Sequence, residues 1–282
     1  NDLGSLYHER GDYTKAETLF KRALTIHESL TDSDGTIVTL DSLGWNYDRM
    51  GEYSHAEPVF RRALEISTRL HGEGHIQTAS CEFSLGALYG SIGEYAKAES
   101  LMQSALDTRE KLQGKESEAA ADSLVNLGWL YTRMDQYQKA ESFFQRAADI
   151  YTEVFGAKHP NTSIALINLA DVLQESGNYE KAEKLLLSSL QVYRDAFGND
   201  HPRCSEIFRS LGTLYQKQGN PQKAEESLKE SLAISIRLFG EEHPSVADDY
   251  DTLSVVYVTM GNLRQATQLR EQSRRSIRRH MA

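Results

Sequence analysis

The chain has 282 residues, of which 26% are charged and 9% aromatic, the balance of a folded chain rather than a disordered one. Its formal charge is −10, and residues 270–282 hold five arginines against one glutamate, so the remainder is more acidic still. That excludes direct nucleic-acid binding as an expectation, because phosphate contacts need basic patches. No apolar run approaches the ~18 residues of a membrane span, and no secretory signal pattern stands at the N-terminus. The two widely separated cysteines, Cys81 and Cys204, fit reduced thiols and a cytoplasmic setting.

Along the chain, Gly4 is followed 40 residues later by Gly44, and then Gly86, Gly128, Ala170, Gly212 and Ser254 follow at intervals of 42. Each lies in the same phrase: L-G-x-L-Y, then G-(E/N)-Y, then K-A-E, then a run ending A-L. A fixed period of this size predicts a stack of supersecondary units rather than one closed core. The repeats fall at about 1–35 (truncated), 36–77, 78–119, 120–161, 162–203, 204–245 and 246–282. The first begins inside a helix and the last ends inside one, so the chain reads as a piece of a longer protein.

In the second repeat Leu40, Leu43, Gly44 and Tyr47 fall at i, i+3, i+4 and i+7, one face of a helix. Gly51 stands where a left-handed residue ends it. Ala56, Val59, Phe60, Ala63 and Leu64 then define a second helical stripe. Small residues (Gly44, Ala56, Ala63) sit where the two helices must approach closely. Pro58 lies inside the second helix and predicts a bend there. The loop between repeats carries its own phrase, F-G-x-x-H-P, at Phe155–Pro160, Phe197–Pro202 and Phe239–Pro244. Its proline suits the first position of a helix. In the fourth repeat Asp135 replaces the turn glycine, which aspartate tolerates. In the sixth, Pro221 replaces the turn tyrosine at the start of a helix.

Leu40-x-x-Leu43-Gly44-x-x-Tyr47, Gly51-x-Tyr53 and Ala56-x-x-x-Phe60-x-x-Ala63 resemble the signature of the tetratricopeptide repeat. The 42-residue length and the F-G-x-x-H-P loop resemble the kinesin-light-chain type. HEAT and armadillo arrays have similar periods but lack this register. The resemblance covers the whole chain and implies an all-α, right-handed superhelical solenoid of seven helix-turn-helix repeats. It also implies a concave groove, lined by the first helix of each repeat, that binds protein or peptide. A second resemblance concerns Arg274-Arg275-Ser276-Ile277-Arg278-Arg279-His280, which is similar to the segment joining such repeats to a caspase-like (CHAT) domain in some bacterial proteins. It implies that the chain is the sensor or inhibitory arm of a larger effector.

Candidate chemistry is sparse. His75, His159, His201 and His243 occupy equivalent loop positions, roughly 16–20 Å apart as successive helix layers, too far to share one metal ion. They are expected to cap helices, and no metal or cofactor is expected. Neither cysteine lies in a nucleophile context, and no phosphate loop or strand-borne G-x-G-x-x-G is present. Asp248, Asp249 and Asp251 are expected to form a solvated acidic first turn rather than an acid–base pair. We therefore expect no catalysis. Arg270, Arg274, Arg275, Arg278 and Arg279 form a basic stripe. It reads equally as the polar cap that a terminal repeat needs and as a docking face for an adjoining domain.

The sharpest signal is the tryptophans. The chain has two, Trp45 and Trp129, each directly after the signature glycine and each followed four residues on by an arginine, Arg49 or Arg133. The tetratricopeptide resemblance places that position in the groove, and Trp and Arg are frequent binding hot spots. The candidate groove residues are Asp41, Trp45, Asp48 and Arg49 in the second repeat and Phe83, Ala87 and Ser91 in the third. Asp122, Asn126, Trp129 and Arg133 follow in the fourth, then Asn168, Asp171 and Glu175 in the fifth, and Arg209 and Lys217 in the sixth. Both signs of charge are present, so a partner of mixed charge is expected.

Overall fold

The computed structural model describes residues 1–28 and 33–280, in two compact units that divide after Gln136. The first unit holds α1 (Asp2–Glu9), α2 (Tyr13–Glu28), α3 (Asp34–Arg49), α4 (Tyr53–His71), α5 (Ile76–Ser91), α6 (Tyr95–Gln113) and α7 (Glu118–Arg133). The second holds α8 (Tyr137–Phe155), α9 (Pro160–Glu175), α10 (Tyr179–Phe197), α11 (Pro202–Lys217), α12 (Pro221–Phe239), α13 (Pro244–Thr259) and α14 (Leu263–His280). No strand occurs among the described residues. Within each unit every helix packs on its neighbours in sequence, and odd-numbered helices also touch, as α3 does α5 and α9 does α11.

The odd-to-even turn is a Schellman motif. Gly51 (φ 73°) donates its N–H to the Asp48 carbonyl while Glu52 N–H reaches back to the Tyr47 carbonyl at 2.9 Å. Asp135 holds the same left-handed conformation at φ 56°. Pro221 opens α12, whereas Pro58 leaves α4 a continuous helix. The signature glycine then lets the paired helices close. A Cβ on Gly44 would stand 2.5 Å from the Phe60 ring, and one on Gly212 would stand 2.5 Å from Leu228. Between α3, α4 and α5, Ile37, Leu40, Ala63, Ile66 and Cys81 form a buried cluster that Leu24, Val59 and Leu64 complete.

The F-G-x-x-H-P loop is a helix start held by a ring stack. The Nδ1 atoms of His75, His159, His201 and His243 accept the backbone N–H two residues on, at 3.1–3.2 Å. Their rings stack on the residue four positions earlier, His71, Phe155, Phe197 or Phe239, with centroids 4.4–4.7 Å apart. Thr78 and Thr162 donate to the carbonyl of the loop glycine. Cys204 takes the equivalent place, its Sγ 3.8 Å from the Gly198 carbonyl.

A second recurring tie joins successive repeats. The signature tyrosine of an odd-numbered helix donates its hydroxyl to the glutamate of K-A-E (His55-Ala56-Glu57 in the second repeat) on the even-numbered helix before it. These pairs are Tyr47–Glu17, Tyr89–Glu57, Tyr131–Glu99, Tyr215–Glu183 and Tyr257–Glu225, at 2.5–2.9 Å. Burial, and then the carboxylate, raise the tyrosine pKa values, Tyr131 to about 12. The fifth repeat breaks the row: Leu173 fills the tyrosine position, and Glu141 has Lys181 at 3.9 Å instead.

Candidate partner-binding face

The odd-numbered helices carry every proposed groove residue. On α3, Asp41 is half-buried. Burial pushes its pKa up, against donors from Ser84 of α5 and from Trp45. Asp48, one face-repeat further along, is likewise pushed up by burial, with the neighbouring Arg49 charge opposing. One carboxylate oxygen of each is buried without a hydrogen-bond partner, an unmet acceptor that costs roughly 1–3 kcal/mol. Trp45 lies between them on the helix, half-buried, its ring edge-on to Phe60 with centroids 5.5 Å apart. Arg49 is exposed.

On α5, Phe83 is half-buried beneath the Arg109 guanidinium, 5.3 Å above its ring. Arg109 also donates to Ser123 at 2.7 Å. Ala87 and Ser91 are half-buried. On α7, Asp122 and Arg133 are exposed and Asn126 is half-buried, its amide on the Asp122 carbonyl at 2.7 Å. Trp129 is 48% exposed. Arg133 reaches back 42 residues to the Ser91 carbonyl at 3.4 Å. The two tryptophans, equivalent in sequence, are thus not equivalent in setting: Trp45 is half-buried, whereas nearly half of Trp129 is exposed.

In the second unit α9 and α11 enclose a polar cleft of about 330 Å³. Asp171, Gln174 and Glu175 line it from α9, and Glu206, Arg209, Ser210 and Thr213 from α11. Asp171 accepts from Gln174 at 3.1 Å and from Ser210; burial pushes its pKa up to about 6, against the Ser210 bond. Glu175 pairs with Lys217 at 2.5 Å. Asn168 is buried, 8% exposed, and supports the face from below. Arg209 turns to α13, where its Nε meets Asp249 at 2.9 Å.

Asp249 departs from expectation. It is fully buried, not solvated, and accepts hydroxyls from Ser231 and Ser235 at 2.8 and 2.6 Å besides Arg209. A buried carboxylate needs such a full set of donors. Asp248 and Asp251 are exposed as expected. The partners sit on two other helices, α11 and α12, and the small polar residues Ser205, Ser231 and Ser235 were the one visible hint.

Of the terminal stripe, Arg270, Arg274, Arg275 and Arg278 are exposed on α14. Arg270 reaches Ser254 at 3.3 Å and Arg275 lies 3.9 Å from Glu271. The Arg279 side chain lies outside the described residues. Both cysteines are buried; burial first, and the Asp41 charge next, push the Cys81 thiol to about 12, so its thiolate is scarce at neutral pH. Among the described residues no group of His, Cys, Asp and Glu could hold a metal ion, and no helix is long and apolar enough to cross a membrane.

Paired helices of fixed length, repeated turns and repeat-to-repeat ties define an all-α helix-turn-helix repeat solenoid. A family profile described as Tetratricopeptide repeat matches residues 1–68, 55–111, 85–153, 119–195, 162–236 and 207–279, and the chain belongs to that family. Solved structures show the same fold at low identity. The apo form of RapI is 18% identical, with a TM-score of 0.73 over 99% of this chain and 96% of that one. A Podosopora anserina structure described as a kinesin light chain with nearly identical TPR-like repeats is 24% identical, with a TM-score of 0.61 over 72% of this chain and 96% of that one. A Rap protein complexed with Competence and Sporulation Factor is 18% identical, with a TM-score of 0.62 over 96% of this chain and 74% of that one. No curated protein matches the chain significantly.

Proposed function

We propose that the chain is a non-enzymatic, cytoplasmic recognition module that binds a protein or peptide segment of mixed charge along its odd-numbered helices, in the concave groove of the solenoid. The observation that carries this reading is Trp129, an indole left 48% exposed on α7. Leaving so large an apolar side chain in water forgoes roughly 1–2 kcal/mol of burial, which a partner would recover. The Rap protein complexed with Competence and Sporulation Factor offers a precedent of similar fold. The test uses the chain's own two tryptophans as fluorophores. Peptides selected from a random displayed library should shift the emission on binding. Trp129→Ala should weaken them at least tenfold with helicity and melting temperature unchanged. Selected peptides that bind Trp129→Ala as well as wild type would place the contact elsewhere.

The exposed Arg274 and Arg278 favour a second reading, in which α14 docks an adjoining domain of a larger effector, such as a caspase-like peptidase. In that case residues 264–278 gain hydrogen-exchange protection in the longer protein relative to this chain; equal protection leaves α14 a plain cap.

A further inference from the structure

The cleft between α9 and α11 contains one carboxylate that is engaged in no ion pair. Glu206 is paired with Arg203 at 2.6 Å, and Glu175 with Lys217 at 2.5 Å. Arg209, the one cation among the lining residues, is committed to the fully buried Asp249 of α13. Asp171 is left with neutral partners, the Gln174 amide at 3.1 Å and the Ser210 hydroxyl. It occupies the position after the signature small residue, the place that Trp45 and Trp129 hold in their own repeats. A volume of about 330 Å³ admits one long side chain with its waters, not a folded element.

We propose that this cleft seats a single cationic side chain, a lysine or arginine carried by the partner segment, on the Asp171 carboxylate beside the Ser210 hydroxyl. This rests on the groove-binding reading above and names the partner chemistry at one point of it. The surroundings fit a cation better than an anion. An incoming carboxylate would meet Asp171, Glu175 and Glu206 together, whereas an ammonium or guanidinium gains a charge-assisted bond in a partly desolvated cleft. Arg209 does not compete for Asp171 without abandoning Asp249, and leaving that buried charge unpaired is strongly unfavourable.

Ionisation links the site to pH. Burial holds Asp171 at about 6, with Glu175 raising it further and Lys217 opposing. The other charged groups facing the cleft are Glu206 and Arg209 of α11, with Asp249 of α13 behind the latter. Only ionised Asp171 attracts the cation, so affinity at pH 5 falls about tenfold below that at pH 7.5 as the binding-competent fraction falls.

The experiment pans a random displayed peptide library on the full chain. The enriched peptides are then titrated against wild type, Asp171→Asn and Trp129→Ala. Enrichment of Lys or Arg at one position supports the proposal if two changes each cost at least tenfold: replacement of that residue by norleucine or citrulline, and Asp171→Asn. Asp171→Asn removes a buried charge and keeps the shape, so a melting temperature no lower than wild type shows that it folds. Peptides without a basic residue in common, or peptides that need Trp129 but bind Asp171→Asn unchanged, overturn the cation site and leave the groove reading standing. A library that yields no binder overturns both.

Discussion

Replacing Tyr215 by phenylalanine removes one oxygen from the tie between α10 and α11 and leaves everything else in place. The hydroxyl donates to Glu183 at 2.7 Å, and the ring is nearly buried under Lys223, whose Nζ lies 4.9 Å from the ring centroid. Phenylalanine keeps the ring, its burial and the lysine above it. Glu183 keeps only Lys223 at 4.0 Å. A hydrogen bond to a charged group contributes about 1.5–3 kcal/mol. The Glu183 side chain is 26% exposed, so water replaces part of the loss. We therefore expect destabilisation near the low end, about 1–2 kcal/mol. A repeat array unfolds in pieces, so the urea midpoint is best read together with hydrogen exchange of α10 and α11 amides. Glu183→Met, which has no oxygen to accept the hydroxyl, should cost a similar amount, and the double variant little more than either single, because both delete one bond. If Tyr215→Phe proves neutral, or its effect adds fully to that of Glu183→Met, the row of tyrosine–glutamate bonds does not hold the repeats together.

The tryptophans should separate by stability: Trp45→Ala loses the edge-on contact with Phe60 and should cost about 2–3 kcal/mol, while Trp129→Ala should cost under about 1 kcal/mol by denaturant titration. Asp171 binds its proton more tightly folded than unfolded, near 6 against 3.8, so its contribution to stability is full below the unfolded value and is lost as pH rises through the folded one. Asp171→Asn should accordingly be more stable than wild type at pH 7 by about 1–2 kcal/mol, allowing for partial exposure, and the gain should vanish by pH 4; a gain independent of pH would point to another cause. His201→Ala forfeits both the cap on Arg203 N–H and the stack on Phe197, and should cost about 1–2 kcal/mol in thermal melts. His201→Asn keeps a capping oxygen and should recover part of that.

What recurs within a single repeat was legible in the sequence; what joins one repeat to the next was not. The helices, the turn glycines, Asp135 in their place and Pro221 at a helix start follow from local rules that each repeat applies independently, and the period checks each instance against the others. The tyrosine–glutamate tie recurs just as regularly, yet it escaped a reading of helix faces because its two ends are 30–32 residues apart and belong to different repeats. Tyrosine in L-G-x-L-Y and glutamate in K-A-E were both in view; nothing local says that they meet.

The candidate site is harder for a physical reason. A solenoid's fold is the sum of its repeated terms, so a residue that serves a partner is one that departs from the repeat. The position after the signature small residue is Trp45, Ala87, Trp129, Asp171 and Thr213 in successive repeats. No packing rule demands those changes, which makes the position visible as variable but leaves its chemistry to the neighbours. Trp45 and Trp129 read alike in sequence and differ in exposure, Trp45 half-buried and Trp129 nearly half exposed. Asp171 differs from Glu175 and Glu206 because Lys217 and Arg203 neutralise those two, while the nearest arginine is drawn off by Asp249. That diversion depends on Ser231 and Ser235 closing around Asp249, a packing event on α12 and α13 that no motif on α9 announces. The unpaired charge at Asp171 is therefore a property of three repeats acting together.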